Sequence, residues 1–260
     1  MRLRKRTPAL YPRLSLMTLI RLAAALISLA TTLTAQSLPA GTSLPVALSS
    51  SLNAKNVKPG QKIEGKLMQE VNLGEEAKLK SGSHVTGHIV SASKPGANGA
   101  KITLQFDSID NDGQTIPLHV ALRALASSQS VFNAGLPVGA ASTYESSTSW
   151  TTRQVGGEVV FRGRGYVANG DGKVGVWNGS GVWGRLAASG DCPAGESADV
   201  QQALWIFSTT ACGAYGFERT KIDQAGYSAP FGQIVLTSTK DIDVRGGSGW
   251  LLEVLPSVKP

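Results

Sequence analysis

Histidine and cysteine are scarce in this chain of 260 residues: three of the first and two of the second. Cys192 and Cys212 have no histidine near them in sequence, and two thiolates alone make a poor zinc site. A disulfide, a thiol nucleophile and a metal pair are the alternatives for them. Nowhere does an apolar run reach the roughly 20 uninterrupted residues of a membrane-spanning helix. Charged residues make up only 17% of the chain and apolar ones 42%, which is the balance of a packed core and not of a disordered segment. Acidic residues are absent from the first 35 positions, where Arg2, Arg4, Lys5, Arg6, Arg13 and Arg21 lie. Subtracting those six from 25 basic residues leaves 19 against 18 acidic, so the formal +7 of the whole chain becomes +1 for the body. A near-neutral body has no general pull on phosphate backbones, and nucleic acid is not an expected partner.

The N-terminal residues have an order of their own. A basic stretch leads into the apolar run Leu22-Ala-Ala-Ala-Leu-Ile-Ser-Leu-Ala30, and small residues follow up to Leu33-Thr34-Ala35-Gln36. This is the layout of a secretory signal peptide over residues 1–35, with cleavage after Ala35. The alternative is an uncleaved anchor, which Arg21 opposes by interrupting the apolar run at its start. No cysteine stands beside the cut to carry a lipid. The expected location is periplasmic or extracellular, with no integral span once the signal is removed. An oxidising compartment favours the disulfide for Cys192 and Cys212, and closing a loop of about 20 residues contributes on the order of 3 kcal/mol.

Residues 38–126 alternate with period two. Leu44, Val46 and Leu48 form one such set, followed by Ile63, Gly65 and Leu67, and by Val85, Gly87 and Ile89. Ile102, Leu104 and Phe106 alternate with Lys101, Thr103, Gln105 and Asp107. Across the turn Asp110-Asn-Asp-Gly113 come Ile116, Leu118, Val120 and Leu122, read as one strand. Such alternation means a sheet with one dry and one wet face, and many short strands argue for a barrel or sandwich. Residues 127–157 lose the pattern and read as a loop or linker. Gly157–Leu186 is rich in glycine with β signals, including the short repeat Gly175-Val-Trp177 and Gly181-Val-Trp183. One helix is expected, where Val200, Ala203, Leu204 and Phe207 fall at helical spacing after Asp191, Glu196 and Asp199. A bridge between Cys192 and Cys212 would clamp it. Strand patterning returns in Gln233–Thr237, Asp241–Arg245 and Trp250–Leu255.

The first strand block also carries spaced turns: Leu38-Pro-Ala-Gly-Thr42, Leu79-Lys-Ser-Gly-Ser83, Val85-Thr-Gly87, then Lys101-Ile-Thr-Leu-Gln-Phe106 and Gly113. With the tail Ile242-Asp-Val-Arg-Gly-Gly-Ser-Gly-Trp-Leu-Leu-Glu-Val254, this resembles the β-barrel domain of the TrbI-like conjugation and type IV secretion family. The resemblance implies a small barrel in the cell envelope. It does not extend to that family's channel-forming helical hairpin, whose place residues 127–230 take, nor to its inner-membrane anchor. The expected fold is therefore all-β: a TrbI-like barrel from 38–126 plus 231–255, interrupted by a Gly- and Trp-rich, disulfide-containing, mostly β insert over 127–230 with one short helix.

Chemistry is thin. His84 and His88 are four apart on a strand, a span of roughly 13 Å, whereas each ligand sits about 2 Å from a zinc ion. Neither metal nor cofactor is expected. Gly170-Asp-Gly-Lys-Val-Gly175 has the letters of a dinucleotide fingerprint but is followed by another turn instead of a helix, so Asn169–Gly172 reads as a hairpin turn. Asp110-Asn-Asp-Gly113 looks like the start of a calcium loop, yet its twelfth position is His119, not a glutamate. Ser180 and Ser248 lack the frame of a nucleophile elbow, and no acid–base set assembles, so no enzyme is expected. All five tryptophans lie beyond residue 143. Rings beside glycine turns form either the core of a small insert or a stacking platform, and Trp177, Trp183 and Tyr166 are the candidate contacts. The expectation is an exported, non-catalytic binding or structural protein, accessory to a surface or secretion assembly, whose partner is an envelope protein or a polysaccharide. Its oligomeric state is not legible. The alternative is a glycan- or peptidoglycan-binding module working through its tryptophans.

Overall fold

A computed structural model describes residues 37–74, 77–138, 150–192, 199–226 and 232–256. The N-terminal segment 1–35, expected to be a signal peptide, lies outside the described residues. The first strands in chain order are β1 (Ser43–Leu48), β2 (Leu52–Asn53), β3 (Lys62–Leu67), β4 (Val71–Asn72) and β5 (Lys78–Leu79). Two long strands, β6 (His84–Gly96) and β7 (Gly99–Asn111), then run back to back, followed by β8 (Gln114–Pro117) and β9 (Val120–Ala126). After helix α1 (Ser128–Gly135) come β10 (Thr151–Arg153), β11 (Val159–Phe161), β12 (Tyr166–Asn169), β13 (Gly172–Trp177), β14 (Val182–Gly184) and β15 (Gln202–Ala203). The chain closes with β16 (Gly213–Tyr215), β17 (Thr220–Asp223), β18 (Ile234–Ser238), β19 (Asp243–Val244) and β20 (Gly249–Val254).

The protein is all-β in class, and its principal sheet curls into a nearly closed barrel in the order β16-β9-β20-β1-β3-β6-β7-β18-β17. Neighbours are antiparallel except β16, which runs parallel to β9. The tail strand β20 lies between β1 and β9 and so joins the two sequence-distant ends of the barrel. Alternation explains the inner face: β3 reads exposed–buried three times over, with Ile63, Gly65 and Leu67 inward. Trp250 and Phe106, both fully buried, meet edge to face inside at 5.7 Å. The β7–β8 hairpin turns on Asp112 and Gly113, both at positive φ, with the Gly113 amide donating to Asp110 Oδ1 at 3.0 Å. A two-residue turn of this handedness needs both residues left-handed, which glycine and aspartate tolerate.

Three local expectations are corrected. Ile116–Leu122 is not one strand but two: β8 ends at Pro117 and β9 begins at Val120, with the Leu118 amide still donating to the Asp107 carbonyl at 2.9 Å between them. Residues 128–135, read as linker, form α1: Ser127 caps it by accepting a hydrogen bond from the Ser130 amide at 3.1 Å. Its ordinary helix formers are few, so packing of Val131 and Ala134 against the core outweighs propensity. The helix expected over 200–207 is absent. There the chain makes the short strand β15, Leu204 donates its amide to Val182, and Trp205 takes positive φ. The apolar spacing arose because Ala203 serves the barrel core while Leu204 and Phe207 serve a second one.

The end of the expected insert at 230 does not coincide with a change of sheet, because β16 and β17 already extend the barrel sheet. The second sheet, in the order β10-β11-β12-β13-β14-β15, covers the outside of β9 and β20. Strands β9 and β20 are buried along their whole length as a result. Their outward residues are small or aliphatic (Ala124, Ala126, Leu251) and share one core with Val160, Val167 and Phe207. The described residues form one compact unit. Among the described residues no helix is long and apolar enough to cross a membrane.

Candidate functional site

The outer sheet is a meander of short hairpins. Residues Gly170 and Asp171 turn β12 into β13, with Asn169 paired to Gly172, so of the fingerprint-like glycines Gly170 lies in a hairpin turn and Gly172 and Gly175 lie in strand β13. Register decides which side chains share a face, because cross-strand partners point the same way. Tyr166 pairs with Val176, and Val176 with Trp183. Trp177 pairs with Val182. The two candidate tryptophans therefore lie on opposite faces of the sheet and share no platform.

Trp183 is 6% exposed and belongs to the barrel-side core, together with the partly buried Val176. Trp177 is half-buried against the core beneath the outer sheet. The Arg162 guanidinium lies over its ring at 5.3 Å from the centroid, and Arg162 Nε and Nη2 donate to Thr152 Oγ1 at 3.2 and 3.0 Å. Burial lowers the pKa of Arg162 from its ordinary value. Tyr166 stacks on Phe161 of the neighbouring strand at 4.5 Å with planes 20° apart, and both rings remain half-buried.

Sequence reasoning passed over the cations of this sheet. Arg153, Arg162, Arg164, Lys173 and Arg185 stand between Trp150 and Leu186, against Glu158 and Asp171. Glu158 is buried, which leaves Asp171 as the only exposed acid of the stretch. The signal was available as a local charge count, and the near-neutral total concealed it. Lys173 and Arg185 line one shallow groove with Val176 and Gln201. Arg153 Nη1 donates to the Gly157 carbonyl at 3.0 Å.

Several other ionisable groups have structural partners. Cys192 and Cys212 are joined as a disulfide, with Cα atoms 5.9 Å apart and the residues 20 positions apart in sequence. Among the described residues between the two cysteines lies β15, not the expected helix. Beneath the bridge the fully buried Arg123 donates from Nη2 to the Ala187 carbonyl at 2.6 Å and from Nε to the Ala211 carbonyl at 3.1 Å. Its Nη1 lies 3.7 Å from Glu253 Oε2. Burial lowers the Arg123 pKa, and the charge of Glu253 pulls it back up. Glu158 accepts from both the hydroxyl and the amide of Thr209; burial raises its carboxyl above the ordinary value, and those two bonds oppose the rise. His88 Nδ1 lies 2.8 Å from Asp107 Oδ2, while His84 sits opposite Asp110 and Lys66. Among the described residues no three of His, Cys, Asp and Glu cluster as a metal site.

Comparison of the chain with family models, with curated proteins and with solved structures returned no match.

Proposed function

We propose that this chain is an exported, non-catalytic binding protein that acts in the cell envelope or outside it. The observation that carries the reading is the division of labour in the outer sheet. One face is built into the core over β9 and β20, while Phe161, Tyr166, Lys173 and Arg185 keep rings and charge at the surface. Such half-open rings with polar neighbours are the composition of recognition surfaces. The disulfide is compatible with an oxidising compartment. The order of basic, apolar and small residues in 1–35 supports export. An accessory role in a surface or secretion assembly agrees with the TrbI-like turn pattern. The test is expression of the tagged full chain followed by fractionation, N-terminal sequencing and mass spectrometry without reductant. A new N-terminus at or near Gln36 outside the cytoplasm, with both thiols blocked, is the expected result. Full-length chain in the cytoplasm with free thiols would overturn it.

A second reading, glycan binding, is favoured by the stacked Phe161–Tyr166 pair, since aromatic faces accept the apolar faces of sugar rings. It shifts the candidate contact from Trp183, which is core, to Tyr166 and its neighbours.

A further inference from the structure

We propose that the outer sheet binds an acidic polysaccharide, with Lys173 and Arg185 pairing its anionic groups and the Tyr166–Phe161 stack holding its sugar rings. This deepens the glycan-binding reading and rests on it. Three observations lead there. Charge is segregated: from Trp150 to Leu186 five cations face two acids, whereas residues 36–260 as a whole carry only +1. Those cations are also without ion pairs. Among the described residues none of the five outer-sheet cations has a carboxylate partner, a condition that barrel lysines such as Lys66 and Lys101 share, whereas Lys55, Lys62, Lys78 and Lys80 are paired with Asp241, Glu64, Glu70 and Asp112. Geometry places the cations and rings together: Tyr166 pairs in register with Val176, and Val176 lines the groove between Lys173 and Arg185.

Each element fits one part of an acidic sugar chain. Unpaired exposed cations attract carboxylate, sulfate or phosphate groups at long range. The apolar strip of Val176 and the aromatic pair meets ring carbons, and Gln201 offers an amide for hydroxyls. A nucleic acid would use the same cations. A polymer bound through its phosphates alone would have no need of the Tyr166 ring, and that difference separates the two ligands.

The experiment measures binding of the exported, disulfide-bonded protein to three probes: polygalacturonate, neutral dextran and a short DNA duplex. The expected result is salt-sensitive binding to polygalacturonate, with dextran and DNA each weaker by about tenfold or more. Reversing both charges (Lys173→Glu with Arg185→Glu) should weaken polygalacturonate binding by about tenfold or more, and the doubly neutral Lys173→Gln/Arg185→Gln variant by less. Tyr166→Ala should weaken it independently of salt. Unchanged thermal unfolding of these surface variants certifies the fold. Equal binding to dextran, indifferent to the charge variants, overturns the acidic-ligand inference and leaves glycan binding standing. DNA binding as tight as polygalacturonate, or indifference to Tyr166→Ala, overturns it in favour of a general polyanion surface. Failure to bind either polysaccharide overturns the inference together with the glycan reading on which it rests.

Discussion

Gln69 pairs with Val182 as a strand residue would, but through its side chain. Its Nε2 donates to the Val182 carbonyl at 2.9 Å, and its Oε1 accepts the Val182 amide at 3.0 Å. The same oxygen accepts the Trp205 amide at 2.8 Å. Residues 113 positions apart are thus joined as if by an antiparallel pair, and a loop of the barrel is tied to β14 where Val182 also pairs with Trp177 and its carbonyl accepts the Leu204 amide. The contact is close enough that a Cβ on Gly181 would fall 2.1 Å from Gln69 Cδ, which explains why glycine stands there. Gln202 reinforces the joint by accepting the Ser43 amide at 2.9 Å through its Oε1.

The first prediction follows from that joint. Gln69→Ala strips the acceptor from two amides in a buried place, those of Val182 and Trp205, while the Val182 carbonyl keeps the Leu204 amide, and unmet buried groups cost about 1–3 kcal/mol each before solvent enters. Urea unfolding should show a loss of about 2–4 kcal/mol. Gln69→Glu keeps the volume and the acceptor but removes the donor to the Val182 carbonyl and buries a charge. It should be at least as damaging at neutral pH, and less so in acid, where the protonated carboxyl donates again.

Glu158 gives a pH dependence whose sign follows from its site. Burial raises its folded pKa above the ordinary 4.5, so the native state prefers the protonated acid more than the unfolded chain does. Its contribution is full below pH 4.5 or so and is lost as pH rises through the folded pKa. Glu158→Gln holds the neutral form at every pH: its oxygen can accept the Thr209 amide and its nitrogen can donate to the Thr209 hydroxyl. Unfolding midpoints across pH 4–8 should therefore be flatter for the variant, which should match or exceed the wild type at pH 7. A steeper profile for Glu158→Gln would contradict this account.

The disulfide closes a loop of about 20 residues, for which chain entropy alone gives about 3 kcal/mol. The bridge also holds the Ala211 carbonyl, next to Cys212, where Arg123 Nε needs it. A Cys192→Ser/Cys212→Ser variant should lose about 2–4 kcal/mol in urea unfolding. Because Arg123 would remain buried with a loosened acceptor, Arg123→Met in that background should cost less than Arg123→Met in the bridged protein. A double-mutant cycle measures the difference, and strict additivity would show that the bridge and the guanidinium act apart.

Strand positions were legible wherever one face is dry and the other wet, as in Ile63–Leu67 and Ile102–Phe106, because the side-chain period is then fixed by burial. Where both faces are covered legibility is partial: Trp250–Leu255 reads as strand and matches β20, but with no wet face to mark its bounds, Val120 and Leu122 of β9 run together with Ile116 and Leu118. Legibility failed at 200–207, where two cores take apolar residues from one turn of chain, and their sum imitates helical spacing. The hairpins at Asp110–Gly113 and Asn169–Gly172 were readable because left-handed turns restrict residue choice. The tryptophans could be listed but not sorted. Which ring is core depends on register with Val176 and Val182, and no local pattern encodes register.

That sorting yields the last prediction. Trp183 is almost wholly buried in the barrel-side core, and its indole N–H has no partner among the described residues. Trp183→Ala should therefore cost about 3–5 kcal/mol, chiefly as cavity. Trp183→Phe, which removes the polar N–H while keeping an aromatic ring, should cost clearly less. Trp177 is half-buried, and its removal forfeits partial burial and the Arg162 contact, a loss of about 1–2 kcal/mol. The sheet separates the two rings, so the double Ala variant should equal the sum of the single losses within about 0.5 kcal/mol. Urea unfolding of the three variants checks all of this at once. A strongly non-additive double variant would mean that the two rings share one packing site after all, against the register that sets them on opposite faces.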